Sequence, residues 1–281
     1  MKHPDQWRET VDPFSLPYRN FSLTQVIGYP HAGNDVFQAR GEYQGRTVDV
    51  FIKAARQTGA DIENEIRTIS ALELDLAPQI IDHDEKKQLF SVSLAKPGER
   101  LSTILAQNKD EYSLDYMYEY GQTLARLHST QGDFPPVKDR RFFHVPDKSF
   151  FQEADLTYVY DYLLTNQPMP GVPCFCHGDF HYANILWENR HLSAILDFEL
   201  SGMGCREFDI AWALILRPGQ QFLTTTQELE RFLEGYGSLA AFRRSAVEYY
   251  MVQIYSHFYR FTGDEPAYQD HLRKFFEKVC R

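Results

Sequence analysis

The chain carries an acid, a carboxamide and a second acid in a spacing that suits one kind of chemistry. Asp179 and Asn184 are five positions apart in Cys176-His177-Gly178-Asp179-Phe180-His181-Tyr182-Ala183-Asn184-Ile185-Leu186, and Asp197 follows thirteen positions later in Leu196-Asp197-Phe198. A carboxylate can accept the proton of an attacking hydroxyl. An amide oxygen and a second carboxylate can hold the metal that neutralises charge on a nucleotide. On this reading Asp179 is the base, Asn184 and Asp197 are the metal ligands, and the reaction is phosphoryl transfer. The string admits other readings. Asp, Asn and His are ordinary loop residues, and His177, Asp179 and His181 could serve as the ligands of a zinc hydrolase. The hydrolase gives no role to Asn184 or Asp197.

Further residues fit around that core. In Tyr29 to Asp35, Gly33 and Asn34 can let backbone N–H groups approach a phosphate, or can form a plain hairpin turn. Lys53 ends the otherwise apolar run Thr47–Ala54, where an unpaired ammonium is costly, and Glu65 on the next helix is its expected partner. Glu63 is the rival, because it lies nearly opposite Glu65 on the helix. His181 either touches the terminal phosphate or bonds backbone in its own loop. His177 and Glu199 are read as structural. Asp209 is read as an N-cap or as an acceptor for the backbone of the Asp179 loop.

These residues need two kinds of scaffold. Strands are expected over Gln25–Gly28, Val36–Ala39, Thr47–Ala54, Gln79–Ile81 and Gln88–Leu94, with a turn at Gly41–Arg46. Ile62, Ile66, Ile69 and Leu72 predict one helix over Glu63–Leu74, stopped by Pro78. After Lys96-Pro97-Gly98 the pattern turns helical, at Ser113–Thr130, Phe151–Leu164, Ile210–Leu216, Thr225–Tyr236, Leu239–Thr262 and Ala267–Cys280. Residues 131–150 form a long loop. Short strands at Val172–Cys176, Asn184–Trp187 and Leu192–Leu196 frame the Asp179 segment. The expected fold is α+β and bilobal: an N-terminal lobe (1–95) of small antiparallel sheet plus one helix, and a larger, mainly helical C-terminal lobe (96–281). A ligand cleft is expected between them.

Size and composition narrow the class. At 281 residues, 43% hydrophobic and 24% charged, the chain is long enough for a large core and is not disordered. No apolar run approaches the ~18 residues of a membrane span, and residues 1–9 lack the apolar core of a signal peptide, so a cytoplasmic protein is expected. The net charge of −10 argues against nucleic acid as a partner. An acidic excess can draw a cationic substrate into a cleft. Cys174 and Cys176 alternate along a strand and are expected to be buried thiols, with no further Cys or His cluster to complete a metal site.

The chain resembles the aminoglycoside phosphotransferase and choline kinase superfamily, small-molecule kinases with the protein-kinase fold. The residues that carry the likeness are His177-Gly178-Asp179-Phe180-His181-x-x-Asn184-Ile185-Leu186, Ile195-Leu196-Asp197-Phe198-Glu199 and Gly204 through Asp209-Ile210-Ala211. Gly121-x-x-Leu124-Ala125-x-Leu127-His128, Lys53, Glu65 and Gly33-Asn34 add support. The resemblance implies ATP or GTP as donor, Mg²⁺ as metal, and a small hydroxyl-bearing acceptor. It also implies a hinge at Leu94-Ala95-Lys96 that meets the nucleotide base through its backbone. Asp35 departs from the family pattern, since a negative charge beside phosphates is unhelpful unless it points away.

The acceptor is expected to bear an amine, as in an aminoglycoside or a choline-like amino alcohol. Trp212, Tyr249, Tyr250, Tyr255, Phe258 and Tyr259 are candidate rings, and Glu199, Glu207 and Asp161 candidate acids. Arg206 and Arg217 keep open an acceptor with a carboxylate. A catalytically silent nucleotide-binding regulator is the alternative to an active enzyme. The protein is expected to be a monomer or homodimer.

Overall fold

Alternation along one strand organises the first unit. In β3 (Arg46–Ala54), Val50, Ile52 and Ala54 face a core with Phe21, Phe37, Phe90 and Val92, so Lys53 must point to the other side. β3 pairs antiparallel with β2 (Asp35–Tyr43) and β5 (Phe90–Leu94), and β1 (Phe21–Gly28) and β4 (Ile80–His83) complete the order β1-β2-β3-β5-β4. The register sets Lys53 opposite Val36 and Ser91. α1 (Ile62–Ala71) begins at Asp61, whose side chain accepts the Asn64 N–H.

These observations come from a computed structural model that describes residues 11–30, 33–56, 60–86, 89–263 and 265–281. His31 and Ala32 of the expected phosphate loop, Gln88 of an expected strand, and residues 1–9 lie outside that set. The chain divides into two units. The first takes the described residues up to Glu99 with Ile185–Asn189 and Ser193–Ser201; the second takes Arg100–Asn184, Arg190–Leu192 and Gly202–Arg281. Among the described residues no helix is long and apolar enough to cross a membrane.

The second unit is mainly helical: α2 (Leu101–Gln107), α3 (Leu114–His128), α4 (Lys148–Glu153), α5 (Thr157–Thr165), α6 (Arg206–Leu214), α7 (Thr226–Gly237), α8 (Arg244–Phe261) and α9 (Pro266–Cys280). β6 (Cys174–Cys176) pairs antiparallel with β9 (Gly202–Gly204). β7 (Ile185–Glu188), which belongs to the first unit, and β8 (His191–Ile195), most of which does, form a hairpin whose turn residues Asn189 and Arg190 both have positive φ. α3 and α7 pack tightly, because a Cβ on Gly121 would stand 2.0 Å from the Phe232 carbonyl oxygen. Tyr120 stacks on Phe180 at 5.1 Å, anchoring the Asp179 loop to α3.

Several expected boundaries shift. β2 runs through Gly41 to Tyr43, so the turn is only Gln44-Gly45. α1 stops at its C-cap Leu72, well short of Pro78. The single helix expected over Phe151–Leu164 is two helices. Asp155 takes φ 57°, Leu156 N–H donates to the Phe151 carbonyl and Asp155 N–H to that of Gln152. That is a Schellman ending with Asp where glycine usually stands. The first half of α4 and a helical turn at Arg141–Phe143 lie inside the expected loop, and α2 had no separate sequence signal. Val172 is exposed and outside β6, and Asn184 ends a turn instead of starting a strand.

Candidate active site

In the first unit Lys53 gathers three carboxylates. Its Nζ lies 2.9 Å from Glu65 Oε2, 2.7 Å from Asp197 Oδ1 and 2.9 Å from Glu199 Oε2. α1 turns Glu65 inward and leaves Glu63 exposed. Burial opposes the Lys53 charge, yet the three carboxylates outweigh it and hold the ammonium well above its ordinary range. Burial also pushes Glu65 up, because one ammonium cannot offset three acids. The group sets three carboxyls against one ammonium.

Glu199 is gripped on both oxygens, by Asp61 N–H at 2.7 Å and Asn34 Nδ2 at 2.8 Å. Asn64 Nδ2 holds the Glu199 and Ser201 carbonyls at 2.9 Å each. Asn64 is a buried carboxamide of α1 that lies off the Ile62-Ile66-Ile69 stripe, and no sequence signal flags it. Asp197 itself has φ 65°, ψ 70°, a left-handed conformation that costs a β-carbon residue about 1–3 kcal/mol. That strain turns its partly exposed carboxylate toward Lys53.

The other expected nucleotide residues are also in this unit. Gly33 has φ 91°, and Asn34 is buried, tied to Glu199 and to the Arg56 N–H. Asp35 is fully buried and accepts Tyr29 Oη–H at 2.5 Å and Val11 N–H at 3.1 Å, so its charge is directed into the unit. In the expected hinge, Leu94 N–H donates to the Gln79 carbonyl and Ala95 N–H to that of Asp49. Among the described residues the Lys96 N–H has no backbone acceptor, and its Nζ bonds the Asp75 carbonyl.

In the second unit the Asp179 loop is held from below. Asp209, buried in the first turn of α6, accepts His177 N–H at 2.8 Å and Gly178 N–H at 3.0 Å. His128 Nε2 lies 3.2 Å from the same carboxylate, and its Nδ1 lies 2.7 Å from Tyr236 Oη. Burial would raise the Asp209 carboxyl, but His128, His177 and the backbone donors bring it below its ordinary range. Gly178 has φ 79°, a conformation that favours glycine, and His177 Nδ1 accepts the Asp179 N–H.

Asp179 is thereby fixed. Its Oδ1 accepts Trp212 Nε1–H at 2.7 Å, and its Oδ2 accepts Asn184 Nδ2–H at 3.2 Å, with His181 Nε2 3.5 Å away. Burial pushes its carboxyl up, but His181, His177 and Arg217 outweigh that and bring it to about 2. It is ionised at any working pH. Asn184 points its nitrogen at Asp179, which leaves its amide oxygen for a ligand. Arg140, placed by sequence in a featureless loop, bonds the Gly178 carbonyl and lies over the Trp212 ring at 4.8 Å. Its only sequence signal is the basic-aromatic run Arg140-Arg141-Phe142-Phe143.

Other expectations resolve differently. Glu207 is paired with Arg243 at 3.0 Å, Asp161 is exposed, and Tyr249, Tyr255 and Tyr259 are core. The thiols of Cys174 and Cys176 lie 3.8 Å apart and, contrary to expectation, His128 joins them as a third potential donor. Both nitrogens of that imidazole are already engaged, which leaves no lone pair for a metal. Taken separately, the Asp197 carboxylate in the first unit and the Asn184 amide in the second each offer a hard oxygen of the kind that suits a divalent cation.

A family profile described as "Phosphotransferase enzyme family" matches residues 30–248. A search of curated proteins finds no match. Among solved structures, a choline/ethanolamine kinase family protein from Mesorhizobium loti is 15% identical, with 95% of this chain and 88% of that one covered and a TM-score of 0.55. A thermostable mutant of aminoglycoside phosphotransferase APH(4)-Ia, solved with AMP-PNP and hygromycin B, is 14% identical, with 92% of each chain covered and a TM-score of 0.60. The amicoumacin kinase hAmiN, solved with AMP-PNP, Ca²⁺ and Ami, is 14% identical over 93% of this chain and 88% of that one, with a TM-score of 0.54. The solved structures show that the α+β fold is the protein-kinase-like one. The profile covers well over half of the sequence, and with it the chain belongs to the phosphotransferase enzyme family.

Proposed function

We propose that the protein is a kinase that moves the terminal phosphoryl group of ATP or GTP to a hydroxyl of a small acceptor. The observation that carries this reading is the Asp179 carboxylate, ionised and oriented by Trp212 and Asn184 on a loop tied to Asp209. In a loose transition state the base need only orient the hydroxyl and take its proton late, so a carboxyl near 2 suffices. Lys53, steadied by Glu65, would meet the α- and β-phosphate oxygens, and Gly33 and Asn34 would border them. The Asn184 amide oxygen and the Asp197 carboxylate would hold Mg²⁺. A bound ion of that kind neutralises charge on the phosphate oxygens. His181 would stand on the terminal-phosphate side of Asp179, and in the Leu94–Lys96 segment the Lys96 N–H would meet the base.

The test is release of nucleoside diphosphate across a panel of hydroxyl compounds, with ATP and with GTP. Asp179→Asn keeps the Trp212 contact but removes the base, so turnover should fall by roughly 10²–10⁴ with an unchanged circular dichroism spectrum. Asp197→Ala should be comparably inactive. Retention of more than about a tenth of wild-type turnover in Asp179→Asn would refute the base assignment.

A further inference from the structure

We infer that the acceptor carries an oxyanion, a carboxylate or a phosphate monoester, bound by the guanidiniums of Arg140 and Arg217 beside Asp179. This rests on the kinase reading and adds the substrate class. Trp212, whose N–H holds Asp179 Oδ1 at 2.7 Å, carries both arginines against its ring, Arg140 Cζ at 4.8 Å and Arg217 Cζ at 5.2 Å. The two guanidinium carbons are therefore no more than about 10 Å apart, the sum of those distances, and both lie beside the ring whose N–H holds the Asp179 carboxylate.

Neither arginine is ion-paired among the described residues. Arg140 donates to the Gly178 carbonyl, and Arg217 to the carbonyls of Trp212 and Ile215. A guanidinium has five N–H donors, so most of the ten have no protein acceptor. Arg217 also caps the C-terminal end of α6, and that structural duty uses only two of its donors. Burial draws both guanidiniums below their ordinary range despite the attraction of Asp179, so positive charge here is under-compensated. Asp209 also attracts the Arg140 guanidinium, but its oxygens bond His128 and two backbone N–H groups and neither arginine, so it takes up none of their donors.

The same positions disfavour an ammonium. Trp212, the ring nearest the base, already has two cations against it, and a third would be repelled at about 5 Å. The acids that would have bound an amine in this unit are unsuitable: Glu207 is paired with Arg243 and Asp161 is exposed. A carboxylate or phosphate, by contrast, meets unused donors in a bidentate geometry.

The experiment uses the full chain and two readouts. Turnover is measured with hydroxy acids and sugar phosphates, with neutral sugars and glycerol, and with aminoglycosides and choline-like amino alcohols. Binding of glycerate and of glycerol 3-phosphate, against glycerol and ethanolamine, is measured by calorimetry. An anionic arm should give the highest kcat/KM, and the carboxylate and phosphate arms decide between those two sources. Arg140→Met and Arg217→Met should each raise the KM for that acceptor roughly tenfold to a hundredfold with a smaller change in kcat. Arg217→Lys should recover part of the loss, and Arg231→Met, which loses an exposed pair with Glu234, should be neutral.

Best turnover of a neutral or cationic acceptor would overturn the oxyanion and leave the kinase standing. If no compound is phosphorylated above the Asp179→Asn background, the kinase reading fails. The anion site is then judged by binding alone. Glycerate and glycerol 3-phosphate that bind no better than glycerol, or equally well to the arginine variants, would overturn it.

Discussion

Replacing Asp209 tests whether the loop bearing Asp179 is positioned by a single buried carboxylate. Asp209 is 1% exposed and accepts two backbone N–H groups, from His177 and Gly178, while facing His128 at 3.2 Å. Asp209→Ala leaves two buried donors without an acceptor and an imidazole without its partner. Each orphaned donor costs about 1–3 kcal/mol, so the second unit should lose roughly 3–5 kcal/mol. Asp209→Asn keeps one acceptor oxygen but turns an N–H₂ toward a donor, and should cost about half as much. The folded-state carboxyl lies below its unfolded value. Its contribution is therefore complete above the unfolded pKa and is lost as pH falls through the folded one, so the wild-type advantage over Asp209→Ala should shrink only in acid. Urea unfolding of the three proteins measures the stability term, and nucleoside diphosphate release measures turnover. Turnover should drop along with stability, because Gly178 and Asp179 move together. A native-like midpoint and rate in Asp209→Asn would show that the loop is held by other means.

Three further outcomes follow from the same geometry. Lys53→Met removes the one cation from among Glu65, Asp197 and Glu199, so it should raise the nucleotide KM at least tenfold and lower the denaturation midpoint. Acidification should then partly restore that midpoint as Glu65, which burial already pushes up, takes a proton. Chelation should abolish turnover and Mg²⁺ restore it, while elemental analysis of the purified protein finds no retained zinc. Because Asp179 is held at about 2, kcat/KM should have no acid limb from this group above roughly pH 4, and Asp179→Asn should not shift any limb seen there.

What the sequence exposes and what it hides divide along physical lines. Asp179, Asn184 and Asp197 are legible because their roles depend on residue type at short spacing, and the Lys53–Glu65 pair because a lysine ending an apolar strand has to find a counter-charge. β3 and α3 are legible because the periodicity of buried residues is strong. The break at Asp155 is not, since it turns on one residue adopting positive φ without being glycine. The extent of β2 is missed because Gly41, a turn residue by composition, is needed for the close approach of the Phe21 ring. Arg140 is hidden for a different reason: its contacts with Gly178 and Trp212 lie 38 and 72 positions away, and a loop of mixed Pro and charge carries no periodicity to announce them.

The charge of the whole chain is a poor guide to its ligands, and the two groups of residues show why. A net charge of −10 suggests a preference for cations everywhere. Around Lys53 that holds locally, with three carboxylates to one ammonium, and the excess suits a divalent ion. Around Asp179 the balance differs. Arg140 and Arg217 stand beside Asp179 and Asp209 without ion-pairing either among the described residues, and keep donors for an anion. Inside a protein the effective dielectric is low enough that these few groups, within several ångströms of a ligand, outweigh a distant surface screened beyond about 10 Å. Adding acidic residues to the exposed surface should therefore leave acceptor preference unchanged, whereas neutralising either arginine should change it. A surface-charge variant that reversed the preference would show that the long-range field, and not the residues beside Asp179, selects the acceptor.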